Sequence, residues 1–158
     1  MLPWNGSRNV ARVEGWELVA RESIRDLVAR YAHAADSGRF EELAELFAPD
    51  GVLEIHGEEP ARGRDGIVAY LSGVGRDLAA TSTTRMIRHN VSNHKIDVVA
   101  QSEAHGAAYF FVITDTGVDH WGRYRDTYVG AANRWHFQHR FVRTDGRVPG
   151  GFADQRQV

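Results

Sequence analysis

The 158-residue sequence contains no cysteine, and this absence excludes several kinds of chemistry. A chain without thiols forms no disulfide, has no thiolate nucleophile and cannot hold an iron–sulfur cluster or a cysteine-ligated zinc ion. Because the missing disulfides do not identify a redox compartment, the cytoplasm is the default expectation for localisation.

The sequence also lacks an excess of basic charge and long hydrophobic runs. Its formal net charge is -2 and its isoelectric point is about 6.4. Nucleic acids and anionic membrane surfaces attract concentrated Lys and Arg, so we expect neither as a partner. No apolar run has the length of a membrane span, and residues 1–20 contain no signal-peptide core. We therefore expect a soluble, unprocessed protein.

The composition that is present is typical of one globular domain. Hydrophobic residues make up 42% of the chain and charged residues 25%. This length can bury a substantial core without disulfides or a structural metal. We predict an irregular N-terminal arm over residues 1–17, a single domain over 18–145 and an irregular C-terminal tail over 146–158.

Hydrophobic spacing predicts three helices in the first half of the domain. An apolar stripe from Ile24 to Ala35 indicates a first helix that begins at Leu18 and is closed by Gly38. A second helix carries Phe40 and Phe47 at helical spacing and ends at the turn-forming residues 49–51. Asp65 is placed to cap a third helix.

The second half of the domain is rich in predicted strands. A brief strand is expected over 52–56, and four longer ones over 86–99, 104–114, 118–129 and 134–143. Helices followed by consecutive strands are typical of the α+β class. We predict a cone-like, curved antiparallel sheet with three N-terminal helices packed over its concave face.

A concave sheet covered by helices is a usual place for a small-molecule pocket, and two residues are placed to enter it. Asp36 lies at the end of the first helix, and His89 lies at the start of a long strand. A carboxylate that holds an imidazole makes a competent general base. Two other interpretations remain open: Asp36 as a solvated turn residue, and His89 as a hydrogen-bonded structural histidine.

Other polar side chains share strand faces. Tyr124 and Asp126 project together from the strand over 118–129. If they face inward, Tyr124 can donate to a substrate oxygen and Asp126 can orient a neighbour; if outward, they are cross-strand pairs. Arg140 either binds an anionic substrate group or pairs with Asp126.

No metal or cofactor is predicted. His136 and His139 fall on opposite faces of a strand, and no metal-ligand spacing occurs elsewhere. The sequence has neither a glycine-rich phosphate loop nor a Gly-x-Ser-x-Gly motif, which argues against nucleotide enzymes and serine hydrolases.

Four segments of the chain are informative in combination: IRDLVARYAHAADSGRFEELAELFAPDGVLEI, RHNVSNHKID, WGRYRDTYV and RWHFQHR. Together they resemble SnoaL-like proteins of the nuclear-transport-factor-2-like superfamily, over roughly residues 18 to 145. Its scytalone dehydratases, bile-acid dehydratases and hexachlorocyclohexane dehydrochlorinases are cofactor-free lyases built on an Asp–His pair. The resemblance implies catalytic roles for Asp36 and His89. The candidate substrate-binding residues are Tyr31, Tyr124, Asp126 and Arg140.

The resemblance is incomplete on one strand. Some of these dehydratases carry a second acid/base residue on the strand predicted over 104–114, and none is evident here. His105 is a shifted candidate that we do not favour.

We expect a cofactor-independent lyase, of dehydratase type, or isomerase acting on a mostly apolar or aromatic small molecule. The alternative is a non-catalytic ligand-binding or subunit-assembly domain resembling a ring-hydroxylating dioxygenase β-subunit. A homodimer or homotrimer is expected in either case, with Trp121, Trp135 and either Phe110 or Phe111 supplying apolar area on an exposed sheet face.

Overall fold

A computed structural model of the protein describes residues 13–81, 86–131 and 134–155. Within these ranges the helices pack on a curved six-stranded sheet, so the predicted α+β class is confirmed. The three N-terminal helices are present, and a fourth short helix forms in the tail that was predicted to be irregular. The helices are α1 (Gly15–Asp36), α2 (Phe40–Glu45), α3 (Gly63–Thr81) and α4 (Phe152–Gln155).

The sheet is mixed rather than purely antiparallel. The strands are β1 (Phe47–Ile55), β2 (Ala61–Arg62), β3 (Ile87–Ala100), β4 (Glu103–Thr114), β5 (Gly117–Ala131) and β6 (Arg134–Arg147). Their order in the sheet is β2-β1-β6-β5-β4-β3, and β1 pairs in parallel with β6. A parallel pair needs a long connection, which the chain supplies by running through α3 and four further strands between them.

Helix α1 follows the predicted apolar stripe but begins at Gly15 rather than Leu18. Of the predicted N-terminal arm, residues 1–12 lie outside the described part of the chain. The helix ends as expected: Gly38 adopts a left-handed φ of 64°, and the next amide, of Arg39, donates to the carbonyl of Ala34. This turn fixes the position of Asp36, the last residue of α1.

Helix α2 is shorter than predicted, because Phe47 belongs to β1 and not to the helix. The Phe47 ring is fully buried and packs on Phe137 of β6, with ring centroids 5.1 Å apart. The amide of Phe137 donates to the carbonyl of Leu46, and Arg64 donates to the carbonyl of Phe47. These tertiary contacts override the helical spacing and extend the predicted brief strand.

The two faces of the sheet differ sharply in burial. Alternate residues of β4, including Ala108 and Phe110, face the helices, while Tyr109 is 58% exposed on the outer face. Trp121 is also exposed there, whereas Trp135 lies inside. Of the two phenylalanines considered for the outer face, Phe111 is the one on that side, because β-strand alternation turns Phe110 inward.

Candidate functional site

Asp36 and His89 are in direct contact. The imidazole Nδ1 of His89 lies 2.6 Å from Oδ1 of Asp36, and the backbone amide of His89 donates to both carboxylate oxygens, at 3.0 and 3.2 Å. A carboxylate accepts the Nδ1 proton, so the neutral ring carries its free lone pair on Nε2. The arrangement orients the histidine and can stabilise its protonated form.

The contact arises where two elements meet. Asp36 ends α1 at the Gly38 turn, and His89 lies near the start of β3, on which α1 packs. The Asp36 side chain is 10% exposed and that of His89 is 23% exposed. The pair therefore lies at the edge of the interior, with both side chains partly exposed.

A buried ion pair occupies the middle of the concave face. Arg140 donates to Asp126 through Nε and Nη2, at 2.9 and 2.8 Å, and both side chains are almost completely buried. Burial alone lowers the pKa of Arg140, but the Asp126 charge and hydrogen bonds outweigh it and raise that pKa. The guanidinium is thus a permanent cation inside the fold.

Aromatic rings enclose this cation. Cζ of Arg140 lies 4.2 Å from the centroids of both the Tyr31 and Tyr124 rings, and 4.1 Å from that of Phe137. Burial raises the pKa of each tyrosine, so both phenols stay protonated and remain hydrogen-bond donors. The structure thus brings Tyr31, Tyr124 and Arg140 together around one point.

Tyr124 and Asp126 face inward, the first of the two orientations considered from the sequence. With strict alternation along β3, Asn93 would lie on the same inward face as His89. Asn93 instead has a φ of 50° at a register shift against β4 and is exposed. This bulge moves His94 to the inward side instead.

His94 and Tyr128 were missed by the sequence analysis. Nε2 of His94 lies 3.1 Å from the Tyr128 hydroxyl, which donates to Asp126 at 2.8 Å. Burial lowers the pKa of His94, which favours its neutral form. An asparagine in a strand pattern was the available signal, because Asn tolerates a left-handed conformation better than most residues.

His105 does not lie in the interior. It is exposed on the outer face of β4 and pairs with Glu103 at 3.2 Å. The inward positions nearby on the same strand carry Ala108 and Phe110, so β4 offers no acid/base side chain at that place.

A separate surface depression of about 1110 Å³ lies between α1, α2 and the start of β6. It is open to solvent and contains neither Asp36 nor His89. Side chains of both charges line it, among them Asp26, Arg30, Arg39, Glu42 and Glu45. Because its charged side chains do not form a convergent set of one sign, this depression is not a candidate site for the chemistry of the Asp–His pair.

Two features are absent from the described residues. No helix in that part of the chain is long and apolar enough to cross a bilayer. Nor do three or more His, Asp or Glu side chains there converge on a point that would hold a metal ion.

Several known structures share this architecture. A protein from Novosphingobium aromaticivorans DSM 12444, named "putative scytalone dehydratase", is 28% identical, with a TM-score of 0.70 over 86% of this chain and 93% of that one. A Catenulispora acidiphila protein in complex with S-DNPA is 31% identical, with a TM-score of 0.68 over 81% and 95%. LinA, at 19% identity and a TM-score of 0.73 over 85% and 93%, shares the fold.

Among curated proteins, none matches the chain. The family model described as a SnoaL-like domain matches residues 16–141, which is most of the sequence. That range contains α1 from its second residue onward, the whole Asp36–His89 pair and the Arg140 centre. The chain belongs to the SnoaL-like domain family.

Proposed function

We propose that the protein is a cofactor-independent lyase, of dehydratase type, or isomerase acting on a mostly apolar or aromatic ketone. The observation that carries this proposal is the 2.6 Å contact between Asp36 and His89 at the accessible edge of an aromatic interior. A histidine oriented by a carboxylate can remove a proton from a carbon beside a carbonyl group.

The proposed reaction begins with proton abstraction by Nε2 of His89. Asp36 stabilises the resulting imidazolium, and negative charge develops on the carbonyl oxygen of the substrate. In a lyase, this enolate then expels a leaving group from the next carbon. In an isomerase, the proton returns at a different carbon.

Tyr31 and Tyr124 are the proposed hydrogen-bond donors to the developing enolate oxygen. Their raised pKa values, caused first by burial, keep both phenols protonated as charge builds up. The negative charge of Asp36 is the smallest of the causes that raise the pKa of Tyr124. A donor near the base is what enolate formation requires.

Arg140 adds positive potential to the same interior. Its Nη1 is buried and has no hydrogen-bond partner among the described residues, while Asp126 holds the other side of the guanidinium. An unpaired buried donor favours an oxygen-bearing ligand, because an oxygen would satisfy it. We therefore assign Arg140 to substrate binding and Asp126 to holding Arg140 in place.

The similar structures support a small-molecule reaction of this kind. One is named "putative scytalone dehydratase", and another was obtained in complex with S-DNPA.

Turnover of a simple hydroxy ketone tests the proposal. The aldol adduct of benzaldehyde and acetone loses water to form benzalacetone, which absorbs strongly in the near ultraviolet. We expect the wild type to accelerate this reaction, and His89→Gln to lower kcat by about a hundredfold or more, the usual contribution of a general base. Asp36→Asn should give an intermediate loss.

The matched control is His139→Gln. His139 also pairs with a carboxylate, Glu54, at 2.8 Å, but its side chain is 41% exposed. This variant should keep wild-type turnover. Equal activity of the wild type and His89→Gln would rule out His89 as the base.

We also propose that the outer sheet face joins copies of the chain into a homodimer or homotrimer. Tyr109 and Trp121 are 58% and 43% exposed there, and exposed aromatic clusters commonly mark interfaces. Light scattering after size exclusion should show an oligomer that Trp121→Lys weakens. A monomeric wild type would contradict this assignment and remove support from the subunit-assembly alternative.

A further inference from the structure

The buried charges of the interior do not balance. In the described part of the chain, the charged side chains that are buried are one guanidinium, of Arg140, and two carboxylates, of Asp119 and Asp126. Asp36 adds a third carboxylate, whose side chain is 10% exposed. Salt and water screen such charges much less than charges on the surface. The interior therefore carries more negative than positive charge while its histidines are neutral.

The positive charge of Arg140 is neutralised by Asp126. Nε and Nη2 of Arg140 donate to the two carboxylate oxygens, and the Tyr128 hydroxyl donates a third bond to Asp126 at 2.8 Å. Burial, and after it the charge of Asp126, raise the pKa of Tyr128, so this hydroxyl keeps the proton that it donates. Asp126 thus accepts three hydrogen bonds as the partner of a permanent cation.

The strands on either side leave this arrangement undisturbed. Gly106 of β4 lies opposite Asp126, and a Cβ atom there would lie 2.6 Å from the Tyr128 hydroxyl oxygen. A larger residue at that position would displace the hydroxyl. Leu53 of β1 lies opposite Arg140 and is almost fully buried. Neither neighbouring position therefore supplies a charge that competes for the ion pair.

The remaining donor of Arg140 favours an uncharged oxygen. Nη1 is the one buried side-chain polar atom without a hydrogen-bond partner among the described residues. A carbonyl or hydroxyl oxygen satisfies such a donor and adds no charge. A carboxylate would lose its hydration, and it would be repelled by Asp126 and by Asp36, which have no second cation to offset them.

The proposed reaction leaves the total charge of the site unchanged. When His89 takes a proton from a neutral ketone, one imidazolium and one enolate form together, so the charge of the enolate is balanced inside the site. A substrate that carries a carboxylate brings one further negative charge at every stage of the reaction. No group of the site gains a positive charge to balance it.

We propose that Asp126 is a specificity-determining residue: by neutralising Arg140, it restricts the site to uncharged ketones and excludes ketones that carry a carboxylate. The inference rests on the proposed function and narrows its substrate class. Two roles were considered for Arg140 from the sequence, and the inference favours pairing with Asp126 over binding an anionic group.

The test compares 3-benzoylpropionate with its methyl ester. Both are aryl ketones with the same exchangeable methylene group beside the carbonyl, and the acid differs by one charge that lies one methylene further along. Proton NMR in deuterium oxide follows the exchange, and each rate is divided by the rate of the same compound in buffer. We expect the wild type to accelerate exchange of the ester at least about tenfold more than that of the acid, the effect of one uncompensated charge about 10 Å away in a protein interior.

Removing the charge of Asp126 should weaken this preference. Asp126→Asn keeps a side-chain acceptor for Arg140 but leaves its positive charge unbalanced, so the acceleration of the acid relative to the ester should rise by about tenfold. The matched control is Glu54→Gln, which removes a carboxylate that is 34% exposed and paired with His139. This control should keep the wild-type ratio. Circular dichroism checks folding, and Asp126→Ser removes the same charge if Asp126→Asn is unfolded.

The outcomes separate this inference from the proposed function. If the wild type accelerates exchange of the acid as much as that of the ester, or more, the inference is wrong and the proposed function stands. A folded Asp126 variant with the wild-type ratio has the same meaning. If the wild type accelerates exchange of neither compound, the proposed function fails, and this inference fails with it. If no Asp126 variant folds, the wild-type ratio decides.

Discussion

At the scale of single residues, the buried Arg140–Asp126 pair sets the electrostatics of the interior. Both side chains are almost fully buried, so each needs the other to offset its loss of hydration. The Tyr128 hydroxyl and the surrounding rings complete the environment of the pair. The guanidinium can remain charged inside the fold because Nε and Nη2 donate to Asp126, which leaves only Nη1 without a hydrogen-bond partner among the described residues.

Removing one partner should therefore be costly. We expect Asp126→Ala to lower the free energy of unfolding by about 3–5 kcal/mol, because it leaves Arg140 charged and unpaired. The double variant with Arg140→Met should lose less than the sum of the two single changes, since it removes both charges. Urea unfolding measures both quantities. Additive losses would show that the two charges do not stabilise each other.

His94 should make stability depend on pH. Burial lowers its folded pKa below the ordinary value of 6.5, so the unfolded state binds protons more readily as the solution becomes acidic. The stability linked to this group is complete above that ordinary value and declines as the pH falls below it. We expect His94→Gln to flatten the fall in Tm between about pH 7 and pH 5. The exposed His105→Gln is the control, and equal slopes for wild type and His94→Gln would contradict the assignment.

The Asp36–His89 contact followed from sequence position, whereas two other inward histidines did not. Asp36 ends a clearly periodic helix, and His89 lies before any irregularity in its strand. His94 and His120 each follow a bulge, which reverses the alternation that assigns faces. Strict alternation in a sequence therefore fails after the first extra residue.

At the scale of secondary-structure elements, close strand packing depends on particular glycines. A Cβ atom at Gly122 of β5 would collide with the carbonyl oxygen of Arg143 and lie 2.9 Å from the Phe110 ring. At Gly73 of α3 the nearest atom would be 3.9 Å away, at the end of the flexible Arg76 side chain. The two positions thus predict opposite effects of one added methyl group.

Gly122→Ala should destabilise the protein by about 1–3 kcal/mol, because a backbone carbonyl cannot move aside. Gly73→Ala should stabilise it by about 0.5–1 kcal/mol through helix propensity alone. Thermal and urea unfolding of both variants check the pair. A neutral Gly122→Ala would mean that β5 and β6 are less closely packed than described.

Element types were predictable because long periodic segments carry a strong signal. Helix α1 and strands β3 to β6 lie close to their predicted ranges, and tertiary contacts decided the rest. Phe47 joined β1 because its ring and carbonyl bind other elements, and α4 formed where Asp119 accepts two backbone amides. The parallel pairing of β1 with β6 also depends on contacts between residues far apart in the chain, so local sequence patterns could not predict it.

At the scale of the whole molecule, the site is assembled from distant parts of the chain. Helix α1 supplies Tyr31 and Asp36, β3 supplies His89, and β5 and β6 supply Tyr124 and Arg140. The fold places a proposed base, proposed phenol donors and a buried cation on one concave face. Its family membership agrees with that geometry, and the shared first step of elimination and isomerisation is removal of a proton beside a carbonyl group.

The most direct test of the central claim measures that proton removal alone. Benzylacetone has no leaving group, and proton NMR in deuterium oxide follows exchange of the hydrogens beside its carbonyl. We predict that the wild type accelerates this exchange above the buffer rate, that Asp36→Asn slows it, and that His89→Gln returns it to the buffer rate. Exchange that is equally fast with wild type and His89→Gln, or a wild type no faster than buffer, would contradict the assignment of His89 as a general base.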